Sequence, residues 1–286
     1  MSYSTTLHIS SDNSQCAVML SRKPQEGDFS LLMIQKRGPL SLPCVIRTAT
    51  SIEHFKELIH VYFTRRAIKR ISERTKTQSS CSAWFIYKRC VISGTMAKFV
   101  LNQNLKKINN EKLNYRLTRT FSSTFKTAAM EYGLAQEPIG IQTFFNHFKK
   151  LHINARFRTV GLTLLKEAPY IGGSPDGLVS CDCCPEPALI ELKCPFRLAQ
   201  SGITNWKLLE YLDDQQILRK NHTYYHQISL YMGIFDLKKA HFVVYAKGEI
   251  ISQIVHFEKE FFDFQVKNLQ EYYLTRYLPS VIGKAV

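Results

Sequence analysis

The sequence predicts an α/β (α+β) fold, a sheet core with helices on its faces. Three observations lead there. The order of periodic segments is helix, helix, strands, helix, strands, helix, which suits a sheet covered by helices. The stretch from "FRTVGLTLLKEAPYIGGSPDGLVS" to "ALIELKCP" is apolar and turn-punctuated, as strands are. Apolar residues make up 45% of the 286 positions, enough for a sizeable core.

Residues 1–50 are the least defined. "SQCAVML" and "FSLLMIQK" read as short strands, and the two prolines of "RGPLSLPC" read as a break. From Ser51 the pattern turns helical: Ile52, Phe55, Leu58, Ile59 and Phe63 share a face, with Ser51 as the cap. "AWFIYKRCVISGTMAKFVLNQ" reads as helix, a tight turn at Ser93-Gly94, then a second helix. Ala128, Ala129, Tyr132, Ala135, Ile139 and Phe144 trace another helical face, with Pro138 expected to kink or restart it. "GSPDGLVS" and "ALIELKCP" are expected to pair as an antiparallel hairpin across "CDCCPEP". "NHTYYHQISLYMGIF" reads as an amphipathic helix, and "KAHFVVYAKG" with "EIISQIVHF" as strands turning at Lys247-Gly248. A last helix, "EKEFFDFQVKNLQEYYLTRYL", is expected to end at Pro279. The expected division is an N-terminal segment over 1–50 and one domain over 51–286.

Composition narrows the function. The formal net charge of +15 suits a partner that is a polyanion, nucleic acid first. No apolar run reaches the length of a membrane span. The first twenty residues have neither a charged start nor a continuous apolar stretch, so a secreted protein is not expected. A reducing compartment is, the nucleus in a eukaryote and otherwise the cytoplasm, which makes the cysteines thiols or metal ligands.

Asp176 sits in the turn "GGSPDG", and Glu191 and Lys193 lie in the strand "LIELK". Alternation puts Glu191 and Lys193 on one face, and Ile190, Leu192 and Cys194 on the other. Asp176, at the turn-proximal end of the neighbouring strand, can lie beside Glu191. Two carboxylates and an ammonium on one patch suit one or two hard divalent ions, Mg²⁺ or Mn²⁺, with the Leu192 backbone carbonyl as a further ligand. Such an ion neutralises phosphate and acidifies bound water. The plain alternative is a surface hairpin with a Glu–Lys pair. Apolar flanks argue against it, because they imply burial, where unpaired charge is costly.

"GGSPDGLV" followed by "LIELKCP" resembles the PD-(D/E)XK nuclease superfamily, and within it the lambda-exonuclease-like, YqaJ-type viral recombinase nucleases, including copies carried by viruses and mobile elements. The resemblance covers roughly residues 52–283. It implies a restriction-endonuclease-like core, a mixed central β-sheet flanked by helices. Asp176, Glu191 and Lys193 match the superfamily triad. "MEYGLAQE" resembles the family's upstream helix, which assigns Glu137 to the active site. "YYHQ" carries over Gln227, with Tyr224 one turn before it. "WFIYKRCVISGT" resembles the segment that grips the 5′-phosphate of a DNA end, implying roles for Trp84, Lys88 or Arg89, and Thr95. Lysine at 88 stands where the best-known member has arginine, the better bidentate phosphate ligand.

The implied activity is a Mg²⁺-dependent deoxyribonuclease that degrades duplex DNA from its ends, 5′ to 3′, in recombination or repair. An endonuclease of the same fold and a catalytically silent DNA-end-binding module are the alternatives. The resemblance also implies DNA ends and their single-stranded product as partners, a single-strand-annealing protein beside them, and a homotrimer. The cysteines offer a different reading, an interaction protein built round zinc. Cys181 and Cys184 of "CDCC" have C-x₂-C spacing, yet no second pair follows at the usual distance, so no zinc site is expected.

Overall fold

The computed structural model describes residues 39–118, 127–201 and 205–284. Helices α1 (Leu42–Thr48), α2 (Ile52–Tyr62), α3 (Arg65–Arg74) and α4 (Ser82–Lys88) precede the short strand β1 (Ile92–Ser93). Next come α5 (Gly94–Leu105), α6 (Glu111–Thr118) and the long α7 (Ala128–Leu151). Strands β2 (Arg156–Arg158), β3 (Thr163–Leu165), β4 (Ala168–Gly173), β5 (Gly177–Ser180) and β6 (Ala188–Lys193) follow. The short α8 (Phe196–Gln200) leads to α9 (Thr223–Phe235), β7 (Lys239–Ala246), β8 (Glu249–His256), α10 (Lys259–Tyr272) and α11 (Leu278–Val281). The two strands expected in "SQCAVML" and "FSLLMIQK" lie outside the described residues.

The main sheet has five strands in the order β2-β5-β6-β7-β8, and a smaller one runs β1-β4-β3. Both are mixed: β6–β7 and β1–β4 are parallel, and the other pairings are antiparallel. The α/β class expected from the sequence is therefore the observed one. Period-two alternation separates two cores across the main sheet. Ile190 and Leu192 pack with Phe144 and Phe148 of α7. Leu189 packs with Ile228 and Met232 of α9 on the opposite face. A third core joins α1, α2, α5, β1 and β4 to the C-terminal helices, with Tyr170 and Tyr273 stacked at 4.2 Å.

Several local expectations are corrected. "RGPLSLPC" does not simply break the chain: α1 starts within it, because proline is tolerated in a first helical turn. Its Leu42, Val45 and Ile46 are buried in the third core. The helix after Ser51 is two helices. Ser51 Oγ accepts the His54 N–H at 3.0 Å, and Thr64 Oγ1 caps α3 through Ala67 N–H at 3.2 Å. The turn at Ser93-Gly94 includes a two-residue strand, which periodicity cannot register. Pro138 does not restart α7, which runs through it for 24 residues; the cost is one missing backbone hydrogen bond. Helix α9 is not amphipathic. Tyr225 to Met232 are all buried, since α9 lies between the main sheet and helices α5 and α10. Pro279 does not end the last helix either. A π-helical turn over Tyr273–Tyr277 passes the chain into α11, which holds Pro279 in its first turn.

Candidate active site

The register of the β5–β6 hairpin sets the site. Gly177 faces Ile190, so Asp176, one residue earlier, stands across from Glu191. Asp176 Oδ2 accepts the Leu192 N–H at 2.6 Å, which fixes the carboxylate against the end of β6. Its turn is held from outside. Gln78 Nε2 donates to the carbonyls of Pro175 at 2.9 Å and Val160 at 3.2 Å. Trp84 Nε1 donates to Ser174 Oγ at 3.0 Å.

Glu191 is 1% exposed. Its Oε1 takes two charge-assisted bonds, from Lys193 Nζ at 2.5 Å and from Gln227 Nε2 at 2.6 Å. Gln227 also donates to the Tyr231 hydroxyl at 3.3 Å. Helix α9 thus supports Glu191 from the face opposite α7. Two glycines let other backbones reach this support. A Cβ on Gly94 would lie 2.5 Å from Tyr231 Cε1 and 2.8 Å from Gln227 Cγ, and one on Gly173 only 2.3 Å from the Tyr231 ring. Tyr224 holds its ring 4.5 Å below Lys193 Nζ, a cation–π contact.

Helix α7 reaches the same place from the other side. Gly140 lets it close on Leu192 and Tyr245, where a Cβ would come within 2.9 Å and 3.0 Å. One turn earlier, Glu137 lines a pocket of about 230 Å³ with Leu192, Lys193, Cys194, Tyr211 and Tyr224. Burial and the charge of Asp176 push the Glu137 carboxyl up to about 7, with Lys193 opposing. Burial, then Asp176, push Glu191 up to about 8. Burial raises Asp176 as well, against Lys193 and the Leu192 N–H. Burial works against the Lys193 ammonium, but Glu191 and Asp176 outweigh it and its pKa rises.

Three acids, Glu191 buried and Asp176 and Glu137 half-buried, thus share one half-buried ammonium. Glu191 Oε2 is buried there with no hydrogen-bond partner among the described residues. An orphaned carboxylate oxygen beside two more carboxylates fits a hard divalent cation, for which oxygen donors are the natural shell. Asp176 and Glu191 are the side chains able to hold it, and Leu192 borders the same pocket.

The residues expected to grip a 5′-phosphate are spread. Thr95 is exposed at the start of α5, with Oγ1 3.0 Å from Ser93 Oγ. Lys88 Nζ lies 3.9 Å over the Trp84 ring, and burial lowers its pKa to about 8. Arg89 turns elsewhere, donating from Nε to the Thr118 carbonyl at 3.2 Å. Cys181 and Cys184 lie at the far end of the hairpin from Asp176 and Glu191.

Sequence reading missed Ser174, Tyr211 and Tyr231. Tyr231 had a signal, since it follows Gln227 by four residues and so shares its helix face. Ser174 lies in the Asp176 turn, but its bond from Trp84 arises only in the folded chain, and Tyr211 is joined to the site only by tertiary packing.

The profile of the YqaJ-like viral recombinase domain matches residues 83–238. The chain belongs to this family. The match spans the motifs that resemble the PD-(D/E)XK nucleases, from Trp84 through the hairpin to α9. Among solved structures, the Shutoff and Exonuclease Protein from Kaposis Sarcoma Associated Herpesvirus superposes with a TM-score of 0.53 at 10% identity, over 98% of this chain and 88% of that one. A SOX–DNA complex gives 0.51 at 11% identity, over 95% and 89%. These likenesses are of fold. The alkaline exonuclease LHK-Exo from Laribacter hongkongensis gives 0.49 at 19% identity, over 69% of this chain and 93% of that one. No curated protein sequence matches the chain.

Proposed function

We propose that this protein is a divalent-cation-dependent DNA exonuclease, hydrolysing phosphodiester bonds from duplex ends in the 5′ to 3′ direction. The observation that carries the reading is the orphaned Glu191 Oε2, buried beside Asp176 and Lys193. Family membership supports a nuclease, and the fold shared with a DNA-bound relative supports a nucleic-acid substrate.

Asp176, Glu191 and the Leu192 carbonyl would hold Mg²⁺ or Mn²⁺, one ion or two, which supplies charge neutralisation at phosphate and a more acidic bound water. The remaining work belongs to the chain. Lys193 donates to the attacking water and to non-bridging phosphate oxygens. Gln227 fixes Glu191 so that Oε1 is satisfied internally and Oε2 would be left to serve as a ligand. Glu137, near 7, is suited to take the proton the water gives up. Tyr224 keeps Lys193 from swinging away and borders the scissile phosphate. Thr95 and Lys88 offer a hydroxyl and an ammonium to a 5′-phosphate, while Arg89 contributes from its anchored position to the field around it. In the cell the reading implies work at recombination or repair ends, in the nucleus of a eukaryote, beside a single-strand-annealing protein and as a homotrimer, in the manner of a virus- or mobile-element-derived nuclease.

The test is digestion of linear duplex DNA labelled at the 5′ or the 3′ end, in Mg²⁺, beside Lys193→Ala and a covalently closed circle. Early release of 5′-labelled mononucleotide, lost in the variant and absent on the circle, is the expected result. Cleavage of the circle would replace the reading with an endonuclease. Binding of ends without digestion would replace it with an end-binding module.

A further inference from the structure

A second cluster lies at the other end of the hairpin. His152 ends α7, and Cys181, Cys183 and Cys184 form the turn after β5. His152 Nδ1 is 3.3 Å from Cys181 Sγ, 3.4 Å from Cys183 Sγ and 3.5 Å from Cys184 Sγ. Cys181 and Cys183 hold their sulfurs 3.5 Å apart, and all four ligand atoms lie within 4.8 Å of one another. Metal arms of about 2.3 Å to sulfur and about 2.0–2.1 Å to nitrogen make a tetrahedron with S···N edges near 3.6 Å and S···S edges near 3.8 Å. The four atoms therefore already stand close to the corners of such a figure.

We propose that His152, Cys181, Cys183 and Cys184 bind a structural zinc ion. Three soft sulfurs and one imidazole select zinc over the hard ions suited to the carboxylate site. Four protein ligands leave no open position, which makes the site structural rather than catalytic. A disulfide between two of the thiols accounts less well for the cluster, since it leaves the third sulfur and the ring nitrogen converging on nothing.

The surroundings are built to orient the ligands. The His152 ring stacks on Phe148 at 3.9 Å with 16° between planes. Ile153 N–H donates to Cys183 Sγ at 3.4 Å, a bond that favours thiolate. Asp182 laces the two turns together. Its N–H reaches the Ile153 carbonyl at 2.9 Å, and its carboxylate accepts from Asn154 at 2.8 Å and Arg156 at 2.7 Å.

The consequence is a clamp. Glu137 and His152 are fifteen residues apart on α7, about 22 Å along the helix. Gly140 seats one part of α7 on β6, and the zinc ion ties its far end to the turn that joins β5 to β6. One hairpin then carries Asp176 and Glu191 at one end and is locked to the helix of Glu137 at the other.

The test is metal analysis of the full-length chain, purified without chelator and dialysed against Mg²⁺. About one zinc per chain is expected, kept in an Asp176→Asn, Glu191→Gln double variant and below about a tenth in Cys181→Ser, Cys184→Ser. Should the cysteine variant fail to fold, Co²⁺ exchanged into the wild-type chain decides, with intense thiolate charge-transfer absorption and tetrahedral visible bands expected. A folded wild-type chain that takes up no zinc from excess, or gives no thiolate band with Co²⁺, overturns the proposal. So does zinc that follows the carboxylate variant rather than the cysteine variant, or mass spectrometry showing a disulfide in the turn.

Discussion

At Lys193 and Glu191 the proposed chemistry and the stability of the fold pull in different directions. Lys193→Ala should lower the rate of nucleotide release by about 10²–10⁴-fold, the usual worth of one positioned proton donor, as a steady-state assay at saturating DNA would show. Glu191→Gln should be at least as inactive, yet more stable without metal. The unfolded chain ionises Glu191 near its ordinary 4.5, and the folded chain only near 8. Between those values the folded state holds the extra proton, so stability falls as pH rises. Lys193 adds no slope there, because its ammonium persists in both states. Metal-free melting curves at about pH 5 and about pH 8 should show that fall in the wild type and a smaller one in Glu191→Gln. The convergence of Asp176, Glu191 and Lys193 was legible in the sequence because strand alternation fixes the face of Glu191 and Lys193 and the hairpin brings Asp176 across from Glu191. The partners of Glu191 were legible only in part. Gln227 came through the family resemblance, whereas the orphaned Oε2 follows from burial that spacing does not reveal.

Elements bring these residues together through glycines at close approaches. Gly94 opens α5 and Gly173 closes β4, and both abut the Tyr231 ring that bonds Gln227. Gly94→Ala and Gly173→Ala should each push that ring off Gln227 and cut kcat by about tenfold or more, the size of effect that a misplaced catalytic group produces. Single-turnover kinetics, run at a temperature where melting curves show the variants folded, would show the loss. Away from the site, Thr75 is the joint between α3 and β3. Its Oγ1 accepts the Leu162 N–H at 2.8 Å and donates to the Ile71 carbonyl at 2.7 Å. Thr75→Val leaves a buried N–H unpaired and should cost about 1–3 kcal/mol in denaturant unfolding, with the residual activity of the folded fraction unchanged. Most of these elements were readable from periodicity and turn residues. The corrections share a cause: the burial of α9, the run of helix through Pro138 and past Pro279, and the two-residue β1 are decided by neighbours. A helix covered on all sides has no polar face to read, and a proline is tolerated where packing outweighs one lost bond.

At the scale of the molecule, a basic chain surrounds an acidic, buried point. A formal charge of +15 favours a polyanion at the surface, and on the proposed function the carboxylates would offer it a cation. Affinity for a DNA end should therefore fall steeply with salt, as the logarithm of the binding constant against the logarithm of salt concentration would show. On the two proposals, the distant ends of one hairpin offer two different donor sets, hard oxygen at Asp176 and Glu191, soft sulfur at Cys181, Cys183 and Cys184 with His152. The hard site was expected from the sequence. The soft one was not, because its fourth ligand, His152, is brought to the cysteine turn by tertiary contacts, the pairing of β2 with β5 and the bonds of Ile153, Asn154 and Arg156 to that turn. The central claim is that the carboxylate cluster is a cation site that stores protons until the ion arrives. Calorimetric titration of the zinc-saturated chain with Mn²⁺ at about pH 7, repeated in buffers of different ionisation enthalpy, tests it most directly. Binding should release about one to two protons, since Glu191 near 8 and Glu137 near 7 must ionise, and Glu191→Gln should abolish most of that release. Mn²⁺ binding with no proton release, or binding that Glu191→Gln leaves intact, would contradict it.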